Sequence, residues 1–315
     1  MAATITVPEV ALSSSSGLRK MPVMGLGTAP EATSTVSTKD AVLEAIKQGY
    51  RHFDAAAAYG VEQSVGEAIS EALKLGLIES REELFVTSKL WVTDNHPETI
   101  VPALKKSLRT LQLEYLDLFL IHWPIATKPG KVVYPIDVSE IVEFDIKGVW
   151  GAMEECQRLG LTKAIGVSNF SIKKLEKLLP FAFITPAVNQ VEVNLGWQQE
   201  KLRDFCKEKG ITVTAFSPLR KGASRGANFV MDNDILKELA DAHGKTVAQI
   251  CLRWLYEQGL TFVVKSYDKE RMKQNLQIFD WSLTKDDYKK ISEIQQERLI
   301  KGPTKPLLDD LWDEE

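Results

Sequence analysis

The feature that most constrains the fold of this chain is an alternation between short apolar segments and longer segments of helical period. After a first apolar segment that ends near Thr28, seven more follow, at residues 50–54, 84–89, 116–122, 163–168, 187–191, 211–216 and 261–264. Amphipathic helical patterns separate them, at residues 38–47, 63–75, 99–111, 147–159, 171–179, 199–208, 234–243 and 247–258. Short, continuously apolar strands joined by helices are typical of a parallel sheet that is covered on both faces.

The number of strand–helix units decides between two kinds of parallel sheet. Eight units fit a closed barrel better than an open sheet, because no G-x-G-x-x-G turn follows the first strand. We therefore predict an α/β chain in which residues 1–315 form a single-domain (β/α)8 TIM barrel with long loops at its C-terminal face. The serine-rich turn at 13–17 predicts a short N-terminal hairpin at about 5–24. Residues 297–315 are polar and acidic, and form either a frayed tail, which composition favours, or a strap over the barrel mouth.

Composition argues against several classes of function. A net charge of −4 provides no basic surface for nucleic acid, and no apolar run is long enough for a transmembrane helix. Residues 1–8 lack the charged and apolar regions of a signal peptide. The three cysteines are far apart and predict reduced, packed thiols in a cytoplasmic protein. Four histidines without paired His/Cys spacing predict no metal site.

The residues at the predicted C-terminal ends of the strands are almost all polar. They are Thr28, Asp54, Lys89, His122, Ser168, Asn169, Gln190, Phe216, Ser217, Lys265 and Ser266. In a barrel these ends gather around one opening, where barrel enzymes have their active sites. Each residue alone has an ordinary explanation, such as a solvated lysine, a core histidine or a helix cap. A whole ring of hydrogen-bonding groups is better explained by a functional site.

The second strand end and its loop suggest acid–base chemistry. Four alanines separate Asp54 from Tyr59 and leave room for a ligand to approach. The ammonium of Lys89, at the next strand end, is expected to lower the pKa of Tyr59 toward neutrality, with Asp54 holding Lys89 in place. His122 is placed to orient the same substrate oxygen. The group suits proton donation to a carbonyl, and the reducing equivalent must then come from a cofactor. The alternative for this stretch alone is a surface loop with a solvated aspartate and a half-buried tyrosine.

The last strand leads into a segment that suits a phosphate group. Lys265 and Ser266 follow the strand directly, and Arg271 lies in the helix that starts there. Helix N-terminal amides and these side chains would bind a phosphate, and barrels commonly bind phosphate after strands seven and eight. The alternative is an ordinary charged helix face, which explains Lys269, Glu270 and Lys273 well and the Lys265–Ser266 pair less well.

Four ordered motifs in residues 21–280 resemble those of the aldo-keto reductase superfamily. They are residues 49–54 with Tyr59, residues 116–124, residues 166–170 and residues 265–275. The resemblance implies that Tyr59 is the general acid, with Lys89, Asp54 and His122 completing a catalytic tetrad. It also implies NADPH as cofactor, bound by Thr28, Asp54, Ser168, Asn169, Gln190, Phe216, Ser217, Leu219, Lys265, Ser266, Arg271 and Asn275. The chain departs from the pattern at Phe216, where many members have Tyr, at Val264, where many have Pro, and at Gln274, where many have Glu.

Within the superfamily, residues 89–97, 217–226 and 302–306 look like plant reductases of the polyketide (chalcone) and codeinone type. That similarity implies a small-molecule carbonyl substrate, apolar or aromatic, and a transient contact with a polyketide synthase. The substrate pocket would be lined by Ala29, Trp91, Trp123, Trp197, the 124–146 loop and the C-terminal strap. Two alternatives remain open: a generic detoxifying aldehyde or sugar-acid reductase, and an NADP-binding regulatory subunit without turnover.

Overall fold

Eight parallel strands, each followed by helical structure, close into a barrel in a computed structural model that describes residues 6–13, 19–30, 34–130, 134–220, 229–306 and 311–312. The strands are β1 Glu9–Leu12, β2 Arg19–Pro22, β3 Met24–Gly27, β4 His52–Asp54, β5 Phe85–Leu90, β6 Leu116–Ile121, β7 Ala126–Thr127, β8 Ile136–Asp137, β9 Ile141–Val142, β10 Thr162–Ser168, β11 Val188–Glu192, β12 Thr212–Phe216, β13 Thr261–Val264 and β14 Thr304–Lys305. The helices are α1 Thr38–Gln48, α2 Glu62–Lys74, α3 Ile100–Leu111, α4 Ile146–Arg158, α5 Ile172–Leu178, α6 Glu200–Glu208, α7 Asp234–His243, α8 Val247–Glu257, α9 Lys269–Leu276 and α10 Lys285–Ser292.

The barrel strands follow the order β3-β4-β5-β6-β10-β11-β12-β13, and β13 pairs with β3 to close the ring. The predicted (β/α)8 barrel is therefore confirmed. The helix ends follow local capping chemistry. Ser37 accepts a hydrogen bond from the amide of Asp40 at the start of α1, and Gly49 ends that helix with a φ of 101°. The prediction omitted α10, because its few buried positions, Asp287 and Ile291, provide a weak helical pattern.

The barrel interior changes character along its axis. At the N-terminal end an apolar cluster fills it, and Leu12 and Met21 of the β1–β2 hairpin belong to that cluster. The turn of the predicted hairpin, at 14–17, lies outside the described residues. Higher in the barrel, a side chain on Gly25 would come within 2.7 Å of the His52 ring, so only glycine fits there. The C-terminal end of the barrel is polar, and it contains the site described below.

The loops at the C-terminal face pack into a small apolar cluster of their own. It contains Val92, Trp123, Ile125, Ile136 and Leu311, drawn from three separate segments of the chain. The 124–146 loop contributes β7, which pairs with β9, and β8, which pairs in parallel with β14. Residues 131–133 of this loop lie outside the described part of the chain.

Composition favoured a frayed tail for residues 297–315. Wherever the structure describes these residues, however, they pack across the barrel mouth. The amide of Ile136 donates to the carbonyl of Pro303 at 2.8 Å, and the indole of Trp312 packs edge-on against Trp123. We refer to residues 297–306 and 311–312 as the strap; residues 307–310 and 313–315 lie outside the description. Composition was a poor guide because apolar residues spaced along a polar segment, such as Ile300 and Leu311, are enough to anchor it.

Two further sequence predictions concern the cysteines and transmembrane helices. Cys156, Cys206 and Cys251 are free and buried, as predicted, and burial raises the pKa of each thiol to about 12. Among the described residues, no helix combines the length and apolar character needed to cross a membrane.

Candidate active site

The backbone brings Asp54, Tyr59 and Lys89 to the polar end of the barrel. Asp54 is the last residue of β4, and its strand pairs in parallel with β5, which carries Lys89. A single 3-10 turn, Ala57–Tyr59, follows β4 and ends at Gly60 with a φ of 67°. The turn returns Tyr59 over the strand end, so the predicted neighbours meet.

A buried ion pair forms the base of the site. The Lys89 ammonium lies 2.5 Å from Asp54 Oδ1 and donates to the Ala55 carbonyl at 3.0 Å. Asp54 Oδ2 accepts from the Gln190 amide at 2.8 Å, so both carboxylate oxygens are bonded. The third neighbour of the ammonium is the Tyr59 hydroxyl, at 3.5 Å. Lys89 and Asp54 are only 1% and 2% exposed. Because an unpaired buried charge is costly, each of these two charges needs the other as its partner.

The pKa of Tyr59 is shifted in the direction opposite to the one predicted. Burial raises the pKa of the phenol above its ordinary value, and this effect outweighs the lowering by the Lys89 ammonium. Lys89 cannot offset burial because its charge is balanced by Asp54. Burial also opposes the charge on Lys89, but Asp54 and Tyr59 raise its pKa above the usual value. The resting site therefore contains a charged lysine and a tyrosine that retains its proton.

His122 lies beside Tyr59 and is neutral. Burial, together with the nearby Lys89 charge, holds the pKa of His122 well below its usual range. Its ring is 5.6 Å from the Tyr59 ring and 5.3 Å from the Trp91 ring, edge-on to both. A neutral imidazole in this position can hydrogen-bond a substrate oxygen without adding a positive charge.

The cavity above these groups has a volume of about 500 Å³. The predicted site residues that line it are Ala29, Asp54, Tyr59, Trp91, His122, Trp123, Ser168, Asn169, Gln190, Phe216, Ser217, Leu219 and Lys265. The sequence predicted that the 124–146 loop and the strap line the pocket. The loop contributes Tyr134 and the strap contributes Ile300. Lining residues that sequence reasoning missed are Gly27, Pro218, Arg220 and Val263.

The residues predicted around a nicotinamide form a connected group. The Ser168 hydroxyl donates to the Gln190 carbonyl at 2.8 Å, and the Asn169 amide donates to the His122 carbonyl at 2.9 Å. Asn169 Oδ1 is buried without a hydrogen-bond partner among the described residues. Asn169 has a φ of 62° and Ser217 a φ of 50°, uncommon values that are found at ligand sites.

Four predicted cofactor residues do not line this cavity. Thr28 is buried behind it and donates to the Asp54 carbonyl at 2.9 Å. Ser266 exchanges hydrogen bonds with the backbone of Asp268 at the start of α9. Arg271 is exposed in the first turn of α9 and Asn275 is buried one turn later. Ser266 and Arg271 therefore lie at the N-terminus of α9, whereas Asn275 lies near its C-terminal end.

One predicted pocket residue lies elsewhere, and one cavity-lining residue was not predicted. Trp197 does not line the cavity; its ring packs under the Arg298 guanidinium, with 4.6 Å between the guanidinium carbon and the ring centre. It was misplaced because the loop after β11 turns back at Asn194 and Trp197, which pair with each other. Arg220 was missed because no sequence signal marks it, although it is buried, has a φ of 42° and lines the cavity. Residues 221–226 of the segment 217–226 lie outside the described residues.

Comparison with known proteins agrees with this geometry. The model of the aldo/keto reductase family matches residues 23–296. The chain belongs to the aldo/keto reductase family. It is therefore an oxidoreductase, and the predicted family is confirmed. Among the described residues, no group of three or more His, Cys, Asp or Glu side chains is placed to hold a metal ion.

Similar proteins include two plant enzymes and an insect enzyme of known structure. It is 67% identical to an NAD(P)H-dependent 6'-deoxychalcone synthase from Glycine max, over the full length of both chains. It is 54% identical to a 7-acetyl-epi-neemfruitin B aldo-keto reductase from Melia azedarach, again over both full lengths. A Bombyx mori aldo-keto reductase, solved in complex with NADP, aligns with a TM-score of 0.84 at 39% identity, covering 94% of this chain and 95% of the other.

Proposed function

We propose that this reductase uses NADPH to reduce a carbonyl group on an apolar or aromatic ketone, of the polyketide type found in plant specialised metabolism. The observation that carries the proposal is the buried Lys89–Asp54 pair, 3.5 Å below a protonated tyrosine at the base of an aromatic cavity. The polyketide class rests on the relative from Glycine max, which is named as a deoxychalcone synthase and is 67% identical.

In this proposal each member of the cluster has one role. Tyr59 donates its proton to the substrate oxygen, since its raised pKa keeps the phenol protonated until the oxygen becomes basic. Lys89 stabilises the phenolate that remains, and Asp54 holds the ammonium in position. His122 donates a hydrogen bond that orients the oxygen. When bound, NADPH supplies the hydride that the carbonyl carbon accepts.

The cofactor assignment rests on unused polar groups and on one apolar face. Asn169 Oδ1 is a buried acceptor without a partner in the described chain, which fits the amide hydrogens of a nicotinamide carboxamide. The Phe216 ring borders the same cavity and offers a stacking surface. Lys265 lies toward the start of α9, where Ser266, Arg271 and the helix N-terminus would bind phosphate groups. The preference for NADPH over NADH follows from the positive charges of Lys265 and Arg271.

The wall of the cavity supports a bulky substrate. Trp91, Trp123, Tyr134 and Ile300 surround the entrance above Tyr59 and His122. Large aromatic side chains bind flat apolar groups through buried area and ring contacts, and they provide few hydrogen bonds to a small polar aldehyde. The wall therefore favours a ring-bearing ketone over a sugar acid.

The test compares substrates that share a carbonyl and differ in size. NADPH oxidation is followed with small aldehydes, quinones and ring ketones, and we expect kcat/KM to be highest for the ring ketones because remote contacts add transition-state binding. Equal or higher kcat/KM for small aldehydes would favour a generic detoxifying reductase. Tight NADP binding with no turnover of any substrate, together with a co-purifying partner, would favour a regulatory subunit.

We also propose a transient contact with a polyketide synthase, because the relative from Glycine max is named as a deoxychalcone synthase and residues 89–97, 217–226 and 302–306 look like those of polyketide reductases. Reduction of one ketone of the polyketide gives an alcohol, and that hydroxyl is lost as water when the product ring becomes aromatic. Co-incubation with a chalcone synthase and NADPH should therefore produce a deoxygenated product that neither enzyme makes alone. A chain in which Tyr59 is replaced by Phe is the matched control, and it should give only the product of the synthase.

A further inference from the structure

Glu192 has a buried carboxylate that none of the reacting groups contacts. It is the last residue of β11, two positions after Gln190, and it is 1% exposed. Its partners are backbone amides of the strap: Ile300 donates at 2.8 Å, and Leu299 donates to both oxygens at 3.2 and 3.3 Å. Asn194 donates to the carboxylate at 3.1 Å from the other side.

The carboxylate and the strap depend on one another. Burial raises the pKa of Glu192 above its usual value, and the amides of Ile300 and Leu299, together with Asn194, act in the opposite direction. A buried carboxylate needs several donors, and two successive amides outside any helix or strand need acceptors. A carboxylate that accepts from both amides satisfies these requirements at the same place.

Glu297, at the start of the strap, is attached to this region as well, and its carboxylate accepts from the guanidinium of Arg220, a cavity-lining residue, at 3.4 Å. The amide of Glu297 donates to the Gly196 carbonyl at 2.7 Å, and the side chain of Gln296, the residue just before the strap, donates to the Leu195 carbonyl at 2.9 Å. These bonds fix where the strap begins. Glu192 is the contact next to Ile300, and Ile300 is the strap residue that lines the cavity.

We propose that Glu192 is a positioning residue that shapes the substrate pocket by holding the strap backbone at Leu299 and Ile300. It acts through Ile300, whose side chain belongs to the pocket wall, and it takes no part in proton or hydride transfer. The attachment of the strap to Glu192 does not depend on the proposed function. Only the effect on the choice between bulky and small carbonyl substrates rests on it.

The variant that tests the proposal is Glu192→Gln, which keeps the shape of the side chain. The amide retains one acceptor oxygen and turns an NH2 group toward the strap amides, so one of the two attachments is lost. The first measurement is hydrogen exchange at the amides of Leu299 and Ile300, which should become about tenfold faster. Glu200→Gln, the same change at an exposed position of α6, is the matched control and should leave exchange in the strap unchanged.

The second measurement is the ratio of kcat/KM for a ring ketone to that for a small aldehyde. In Glu192→Gln this ratio should fall about fivefold to tenfold, mainly through KM for the ketone. In an Ile300→Ala background the same Glu192 change should alter the ratio little, because both changes affect one contact. Effects that multiply in the double variant would overturn the route through Ile300.

The two measurements separate failure of this inference from failure of the proposed function. Unchanged exchange at Leu299 and Ile300 overturns the inference, whatever the enzyme reduces. Faster exchange with an unchanged substrate ratio also overturns it, since the strap would then be held without shaping the pocket. If the enzyme reduces no carbonyl at all, the proposed function fails, and the exchange experiment still decides whether Glu192 holds the strap.

Discussion

The proton-donating cluster and the wall of the pocket are two differently built regions of one cavity. Asp54, Lys89 and Gln190 lie on barrel strands, are at most 3% exposed, and are bonded to one another. Trp123 belongs to a separate apolar cluster above the barrel and Trp91 packs against it, while Tyr134 lies on a loop at the entrance of the cavity. The proposed proton donor is therefore held by the main fold, whereas the proposed substrate contacts lie on loops that have their own small core.

The energetics of the two regions differ accordingly. A buried ion pair is costly to break, because removing one partner leaves a charge without compensation. The wall is stabilised by apolar burial, and substitutions of similar size are tolerated there. Changes in the first region should abolish turnover or destabilise the chain, and changes in the second should redistribute substrates.

The largest expected effect comes from Tyr59→Phe. Removing the hydroxyl removes the proposed proton donor, so kcat should fall by about 10²–10⁴-fold while the dissociation constant for NADPH stays close to its wild-type value. Turnover and cofactor binding are measured separately, by NADPH oxidation and by fluorescence titration. Tyr256→Phe, the same change outside the cavity, is the control. Wild-type turnover in Tyr59→Phe would remove this residue from the acid role.

Lys89→Met tests whether the cluster is also part of the stability of the barrel. It leaves the Asp54 carboxylate buried without its cation, and the free energy of unfolding in urea should fall by about 3–5 kcal/mol. Adding Asp54→Asn removes the unpaired charge, so the double variant should regain much of the stability and none of the activity. Lys265→Met, at an exposed lysine of the same cavity, should change stability by less than about 1 kcal/mol. A similar loss in both single variants would mean that pairing is not the cause.

The contrast between the regions also explains what could be predicted from the sequence. In a parallel barrel, register brings neighbouring strand ends together, so Asp54 and Lys89 at adjacent strand ends had to meet. The wall depends on how loops fold back. That is why Trp197 was placed in the pocket wrongly and Arg220 was missed. The direction of the Tyr59 pKa shift was also wrong, because desolvation depends on packing around the phenol and not on its neighbours in the sequence.

A fall in pH should lower the free energy of unfolding, because the barrel contains buried neutral histidines. Burial lowers the pKa of His52 to about 4, and that of His122 lies well below its usual range. Because the unfolded chain binds these protons below about pH 6.5, stability is fully present above that pH and is lost as pH falls toward 4. His52 alone should cost about 2 kcal/mol between pH 7.5 and 5 in urea unfolding. In His52→Gln the pH dependence should be shallower, and an identical slope would contradict the assignment.

The smallest expected effect is in the wall, at Tyr134, which is 68% exposed and lines the entrance of the cavity. Tyr134→Ala removes one aromatic contact, worth about 0.5–1.5 kcal/mol, so KM for a ring ketone should rise by about threefold to tenfold. Tyr134→Phe keeps the ring and should keep KM near its wild-type value. The small aldehyde should show no change in kcat with either variant, because Tyr134 is a wall residue and takes no part in the proposed proton transfer. A fall in kcat for the small aldehyde would mean that wall and cluster are coupled, and that the chemistry is not held by the barrel strands alone.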